Sequence, residues 1–225
     1  MKVVDNEFIE VHKLEIDVAN TGHITNCYVI KDKHTSKACV IDPAFDEQKI
    51  EQTIKEINGV LDTVVATHCH ADHIAALAKL VENTDAKVYI HEQDYDGLYD
   101  SRYNYEVSVG AKVYPVGKDK VLTVEGEQTV AFGNTKFEVV HTPGHTAGSI
   151  VLYDEKNNLL FSGDTIFDGT YGRTDLITGS HQSMEETLNK LFNRFEDIQV
   201  FSGHGEDFNL KNSKRKIRLL FAYKG

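Results

Sequence analysis

Residues 67–73 read Thr67-His68-Cys69-His70-Ala71-Asp72-His73, directly after the apolar run Val64-Val65-Ala66. The stretch Val60–Ala66 is short and rich in β-branched residues, the pattern of a buried strand. Asp72–Val81 then carries Ile74, Leu77, Ala78 and Val81 at helical spacing. The histidine cluster therefore sits where a strand hands over to a helix. On an extended segment residues two apart point the same way, so His68 and His70 can reach one ion. Asp72 and His73, at the turn, can face a second ion or a bound water. Imidazole nitrogen and carboxylate oxygen suit zinc, and also iron or manganese. A zinc finger is excluded, because no paired cysteines accompany the histidines. Cys69, between two candidate ligands, is expected to point away from them as a packed thiol.

Three further ligand-type residues stand at strand ends beside glycine. His145 lies in His141-Thr-Pro-Gly-His145-Thr, Asp164 in Phe161-Ser-Gly-Asp164-Thr, and His204 in Ser202-Gly-His204-Gly. Glycine permits the close backbone approach that a crowded site needs. The residues sort into two sets: His68, His70 and His145 for one ion, and Asp72, His73 and His204 for another, with Asp164 able to bridge. Each ion keeps open positions, the mark of a catalytic site. Two such ions about 3.5–4 Å apart can share a hydroxide, and metal binding lowers the pKa of water towards about 7. Asp72 is the expected catalytic carboxylate, orienting or deprotonating that water. His12, His23, His34, His91 and His181 have no partner motif and read as surface or packing residues. His141 reads as an outer support of the site or a simple strand-end residue.

Further strands are expected at Ile24–Lys31, Lys37–Asp42, Lys87–Ile90, Lys120–Val124, Thr129–Phe132, Lys136–His141, Ser149–Asp154, Leu159–Ser162 and Gln199–Ser202. Helices are expected over Gln48–Ile57, over a segment capped by Ser183 through the pattern Ser183-x-x-Glu186, and in the tail from Ser213. Tyr95–Tyr105, with four tyrosines, reads as a helix, a loop or a lid. Two packed sheets with helices outside fit this order best, an α/β (α+β) arrangement in one domain spanning 1–225.

The chain has 225 residues, 40% hydrophobic and 26% charged, which excludes a disordered chain, a coiled coil and a collagen-like repeat. No apolar run approaches the roughly 20 residues of a membrane span, and no secretory signal is apparent. A formal charge of −11 makes the chain a poor partner for phosphate backbones, so no nucleic acid and no membrane are expected as partners. Three widely spaced cysteines, Cys27, Cys39 and Cys69, suggest a reducing cytoplasm. The one dense basic stretch is Lys211, Lys214, Arg215, Lys216 and Arg218.

The His-x-His-x-Asp-His pattern at 68–73, followed in order by His145, Asp164 and His204, resembles the metallo-β-lactamase fold superfamily. Thr25-Asn26-Cys27-Tyr28 and Val40-Ile41-Asp42-Pro43 are similar to its opening strands. The resemblance covers residues 20–208. It implies an αββα sandwich of two mixed sheets flanked by helices, a site for two divalent ions at one edge, and Asp42 as an outer carboxylate behind the ligands. Within the superfamily, His141-Thr-Pro-Gly-His145-Thr-Ala-Gly and Gly172-Arg173-Thr174-Asp175-Leu176 look like short glyoxalase II-like hydrolases. That resemblance implies hydrolysis of a small thioester such as S-lactoylglutathione, most simply with zinc. It makes Arg173 an anchor of the Asp164 loop or a substrate contact. Longer glyoxalase II enzymes carry a C-terminal helical domain that binds glutathione. Here residues 205–225 alone follow His204, and the basic run at 211–218 is the candidate substitute for anionic contacts. The alternatives are a mononuclear iron persulfide dioxygenase, using His68, His145 and Asp164, and a lactone hydrolase. A monomer or a homodimer is expected.

Overall fold

The computed structural model of the protein describes residues 1–224. A first mixed sheet contains β1 (Lys2–Asp5), β2 (Ile9–Asp17), β3 (Ile24–Asp32), β4 (Lys37–Ile41), β5 (Val60–Val65), β6 (Lys87–His91) and β7 (Val121–Val124), in that spatial order. Its first four strands pair antiparallel and its last four parallel. The second mixed sheet contains β8 (Thr129–Phe132), β9 (Thr135–His141), β10 (Ile150–Asp154), β11 (Leu159–Gly163), β14 (Gln199–Ser202) and β15 (Phe208–Asn209). Its spatial order is β15-β14-β11-β10-β9-β8, and only β11 and β14 pair in parallel. A two-stranded ribbon, β12 (Ile166–Phe167) and β13 (Thr170–Tyr171), stands apart.

The two-residue period of the strands builds the layers. Tyr28 and Ile30 on β3, and Cys39 and Ile41 on β4, face Phe137, Val139, Ile150, Leu152 and Phe161 of the second sheet. Cys27, Val29, Ala38 and Val40 face the other way, against α1 (Glu47–Glu56) and α3 (Leu77–Glu82). Val140, Val151 and Leu160 lie under α6 (His181–Arg194) and α7 (Leu210–Lys224). The result is the αββα sandwich implied by the sequence. No helix among the described residues is long and apolar enough to cross a membrane.

Four local differences have physical causes. The helix expected over Asp72–Val81 is broken into α2 (Ala71–Ile74) and α3. The Ala76 N–H is drawn to the Pro43 carbonyl, so the chain turns after His73 while Leu77, Leu80 and Val81 still reach the core. Ser183 does not cap α6: Ser180, in extended conformation, accepts from the Ser183 N–H and starts the helix earlier. The tail helix also starts early, at Leu210, where the Asn209 side chain accepts from the Lys211 N–H. The nine-residue strand β2 was not expected, because Glu10, His12, Lys13 and Glu15 interrupt its apolar alternation. Lys13 is nevertheless buried, with its ammonium on Asp207 and the Gly205 carbonyl.

Tyr95–Tyr105 folds as a 3-10 turn (Glu92–Leu98) and α4 (Ser101–Asn104), followed by α5 (Glu106–Val109). Tyr95, Tyr99 and Tyr103 pack on the helical side of the first sheet, and Tyr105 turns to the site.

Candidate metal centre

The carboxyl ends of β4, β5, β9, β11 and β14 carry Asp42, the 68–73 segment, His145, Asp164 and His204 to one edge of the sandwich. The seven sequence-marked residues meet there. One ligand atom each of His68, His70 and His145 lies within 4.8 Å of the others, and the same holds for His68, His73 and Asp164. His145 Nε2 is 2.9 Å from His70 Nδ1. Asp164 stands between the sets, with one oxygen 3.3 Å from His73 Nε2 and the other 3.5 Å from His145 Nε2 and 3.4 Å from His204 Nε2. Asp72 Oδ2 is 3.3 Å from His204 Nε2 and 3.6 Å from His73 Nε2. Glycine is required for this crowding: a Cβ on Gly203 would stand 2.3 Å from Asp164 Oδ1 and 2.6 Å from His73 Cε1.

Four histidines are fixed from behind. His73 Nδ1 donates to Asp42 Oδ2 at 2.9 Å, His145 Nδ1 to the Arg173 carbonyl at 2.8 Å, and His204 Nδ1 to the Ile24 carbonyl at 2.6 Å. His68 Nδ1 donates to Thr67 Oγ1 at 3.1 Å, and Thr67 Oγ1 donates onward to Asp42 Oδ2 at 2.8 Å. Each bond leaves an Nε2 pointing into the cluster, the arrangement by which outer partners orient imidazole ligands. The buried His68 Nε2 and Asp164 Oδ1 have no hydrogen-bond partner. Buried polar atoms are ordinarily satisfied, so donors left open inside such a cluster fit a cation.

The electrostatics divide the cluster. Burial and the neighbouring histidines hold His68 far below its ordinary pKa, and burial with His145 brings His70 down to about 3. Burial also opposes charge on His73 and His204, but the carboxylates outweigh it. Asp164, Asp72 and Asp42 hold His73 well above its usual range, and Asp164 with Asp72 raises His204 to about 10. Asp72 and Asp164 stay ionised in return: burial works against their charge, and the adjoining histidines overcome it.

Two residues were not marked by the sequence. His23, expected at the surface or in packing, lies at the cluster with Nε2 2.9 Å from Asp72 Oδ2. No local motif surrounds it, and only the fold brings the β2–β3 loop over the site. Asp94 is buried behind the cluster, where it accepts from the Cys69 N–H, the Gly148 N–H and Thr146 Oγ1. Its position just past the end of β6 was the available signal.

The other histidines do not reach the cluster. His91 and His141 stack at 3.9 Å, and His141 Nε2 donates to the Ala147 carbonyl within the His145 loop. His181 stacks on Phe221, and His34 packs near Phe8. His12 lies beside Glu10 on the second strand. Cys69 turns away from the histidine cluster into the helical side of the core, where burial raises its thiol pKa.

A cavity of about 690 Å³ opens above the cluster. Tyr105, Val109, Phe167 and Leu176 give it apolar walls, and His23 and Arg173 stand among its other lining residues. The Arg173 guanidinium is held by Asp175 at 2.7 and 2.8 Å. The basic run is not part of this cavity. Lys211 pairs with Asp197, Lys214 donates to the Phe192 carbonyl, Lys216 stands near Asp168 and Arg218 lies over Phe192.

The family model described as "Metallo-beta-lactamase superfamily" matches residues 20–204. The chain is 35% identical over 170 residues to the Bacillus subtilis protein described as "Probable metallo-hydrolase YqgX", covering 75% of this chain and 80% of that one. It is 28% identical over 197 residues to "Hydroxyacylglutathione hydrolase GloC" of Haemophilus influenzae, covering 87% and 92%. Among solved structures, TTHA1623 in a di-iron-bound form superposes with a TM-score of 0.81 at 25% identity, covering 92% of this chain and 99% of that one.

Proposed function

The chain belongs to the metallo-beta-lactamase superfamily, and from that premise we propose a metal-dependent thioesterase. It uses two divalent ions, most simply zinc, with iron or manganese as other fits to the same donors. The observation that carries the reading is the double donor set. His68, His70 and His145 would hold one ion, Asp72, His73 and His204 the other, and Asp164 would link them. The second set argues for two ions over the single iron of a dioxygenase. Bound divalent ions supply Lewis acidity, polarising a carbonyl and making water a nucleophile near neutral pH.

The chain's own residues supply the rest. Asp72, nearly buried at the cavity floor, orients the attacking water through its carboxylate and accepts its proton. Asp42 and Asp94 hold the ligand loops from behind. The apolar walls seat the acyl group and thin out competing water. Arg173, at the rim beside Asp175, faces the thiol half of the substrate. The water oxygen bonds to the carbonyl carbon, the carbonyl–sulfur bond breaks, and Asp72 passes its proton to the leaving sulfur, which releases a thiol and a carboxylic acid that ionises to the carboxylate. The substrate is a small thioester, with S-lactoylglutathione as the first candidate. Three free buried cysteines support action in a reducing cytoplasm.

The test is hydrolysis of S-lactoylglutathione by zinc-replete protein, with and without oxygen, beside Asp72→Ala. Oxygen-independent thioester loss that vanishes in the variant is expected. Turnover that requires oxygen would overturn the reading.

A further inference from the structure

We propose that His23 is an additional protein ligand of the second ion, supplied from the β2–β3 loop and seated at the cavity mouth. The inference rests on the metal-centre reading above and adds a donor to it. Its Nε2 and the ligand atoms of Asp72 and His204 all lie within 4.8 Å of one another. Donors about 2.1 Å from one ion stand about 3.0–3.4 Å apart in octahedral and tetrahedral shells. The His23 Nε2 to Asp72 Oδ2 separation is 2.9 Å, and Asp72 Oδ2 to His204 Nε2 is 3.3 Å. These are ligand-to-ligand spacings as well as hydrogen-bond lengths. The His23 and His204 rings approach with centroids at 4.8 Å and a tilt of 59°, so both present an edge to the same oxygen.

The loop is built to hold this position. The Val18 N–H donates to the His23 carbonyl, Thr21 Oγ1 to the Val18 carbonyl, and the Gly22 N–H to Asp17 Oδ1. Val18 is buried against Ala75 and Ala111, which ties the loop to the segment following His73. Ala19 and Asn20 take left-handed conformations that non-glycine residues seldom adopt. The loop thus commits its backbone to one shape, and that shape delivers an imidazole to Asp72.

His23 differs from the other donors in exposure: its side chain is 49% accessible, against 8% for Asp72. It can leave the ion without disturbing the core. It would therefore be the donor best placed to give way when a substrate group enters the cavity. In the metal-free form the same nitrogen donates to Asp72 Oδ2.

The experiment follows the imidazole nitrogens of the full chain by 15N-edited NMR during zinc addition, with His23→Gln assigning the signal. A chelator competition on both proteins measures the two binding steps. The expected result is that His23 Nε2 moves to a metal-bound shift with the second zinc equivalent and not the first. His23→Gln should weaken the second step on the order of tenfold and leave the first within about twofold. A His23 nitrogen that stays in place through both equivalents overturns the proposal, even if the variant binds zinc less well, because His23 would then act through Asp72 alone. Failure of the wild-type chain to bind a second zinc overturns it together with the two-ion reading, and failure of thioester hydrolysis leaves it untouched.

Discussion

His73 Nδ1 donates to Asp42 Oδ2 at 2.9 Å, and the same oxygen accepts from Thr67 Oγ1, which in turn supports His68. One carboxylate at the end of β4 thus orients a histidine of each donor set. Asp42 itself sits at φ 51, and its other oxygen takes the Thr67 N–H at 2.7 Å. Left-handed backbone is costly for a residue with a Cβ, and here it aims both oxygens at the neighbouring strand end.

Asp42→Asn keeps the shape and removes the charge. An amide accepts through one oxygen only, so the bonds from His73 Nδ1 and Thr67 Oγ1 to one oxygen and the Thr67 N–H bond to the other cannot all survive. Zinc affinity should fall about 10–100-fold, the usual effect of losing an outer partner of a metal-bound histidine. Chelator competition would measure it. Affinity within twofold of wild type would show that Asp42 does not orient the ligands.

Asp94→Ala should act on stability as well as binding. Asp94 joins the His68–His70 segment to the His145 loop through the Cys69 N–H, the Gly148 N–H and Thr146 Oγ1. Truncation leaves two buried backbone donors unpaired, at about 1–3 kcal/mol each. A loss of about 2–6 kcal/mol is expected in urea unfolding of the metal-free protein. Unchanged stability would mean that water fills the gap without cost.

The residues that meet in the cluster were legible because they fall at or just past the ends of strands whose apolar runs are unmistakable, as with Val64-Val65-Ala66 before His68 and Leu159–Phe161 before Asp164. The two sheets were legible for the same reason. What stayed hidden depends on contacts between distant segments. His23 reaches Asp72 across 49 positions, and Lys13 reaches Asp207 across 194. No local pattern encodes either. The cap of α6 was hidden for a smaller reason: Ser180 and Ser183 both precede the same apolar face, and periodicity does not choose between them.

The basic run on α7 bears on substrate choice. Lys211, Lys214, Arg218 and Lys216 face Asp197, the Phe192 carbonyl, the Phe192 ring and Asp168, and none of the run, Arg215 included, lines the cavity. Lys214→Ala with Arg215→Ala should leave KM for an anionic thioester within about twofold, since exposed charges at a distance are largely screened. Arg173→Ala, at the cavity rim, should raise KM with a smaller change in kcat. Steady-state kinetics on S-lactoylglutathione would separate them. A KM rise confined to the tail variant would place the anionic contact on α7 instead.

The two donor sets should also respond differently to pH. Zinc needs a neutral imidazole nitrogen, so a histidine protonated in the metal-free protein must release its proton on loading. His68 and His70 are held far below their ordinary pKa and have no proton to give near pH 7.5. His73 and His204 are raised, His204 to about 10, and hold their protons at that pH. Raised values in the free form mean that affinity falls as pH drops and climbs until His204 has titrated. Loading the second ion should therefore release about two protons more from this pair, and its affinity should steepen with pH by up to about two log units per pH unit between pH 7 and 9. Calorimetry in buffers of different ionisation enthalpy counts the protons at each step. Equal proton release at both steps would show that the carboxylates around His73 and His204 do not hold them charged.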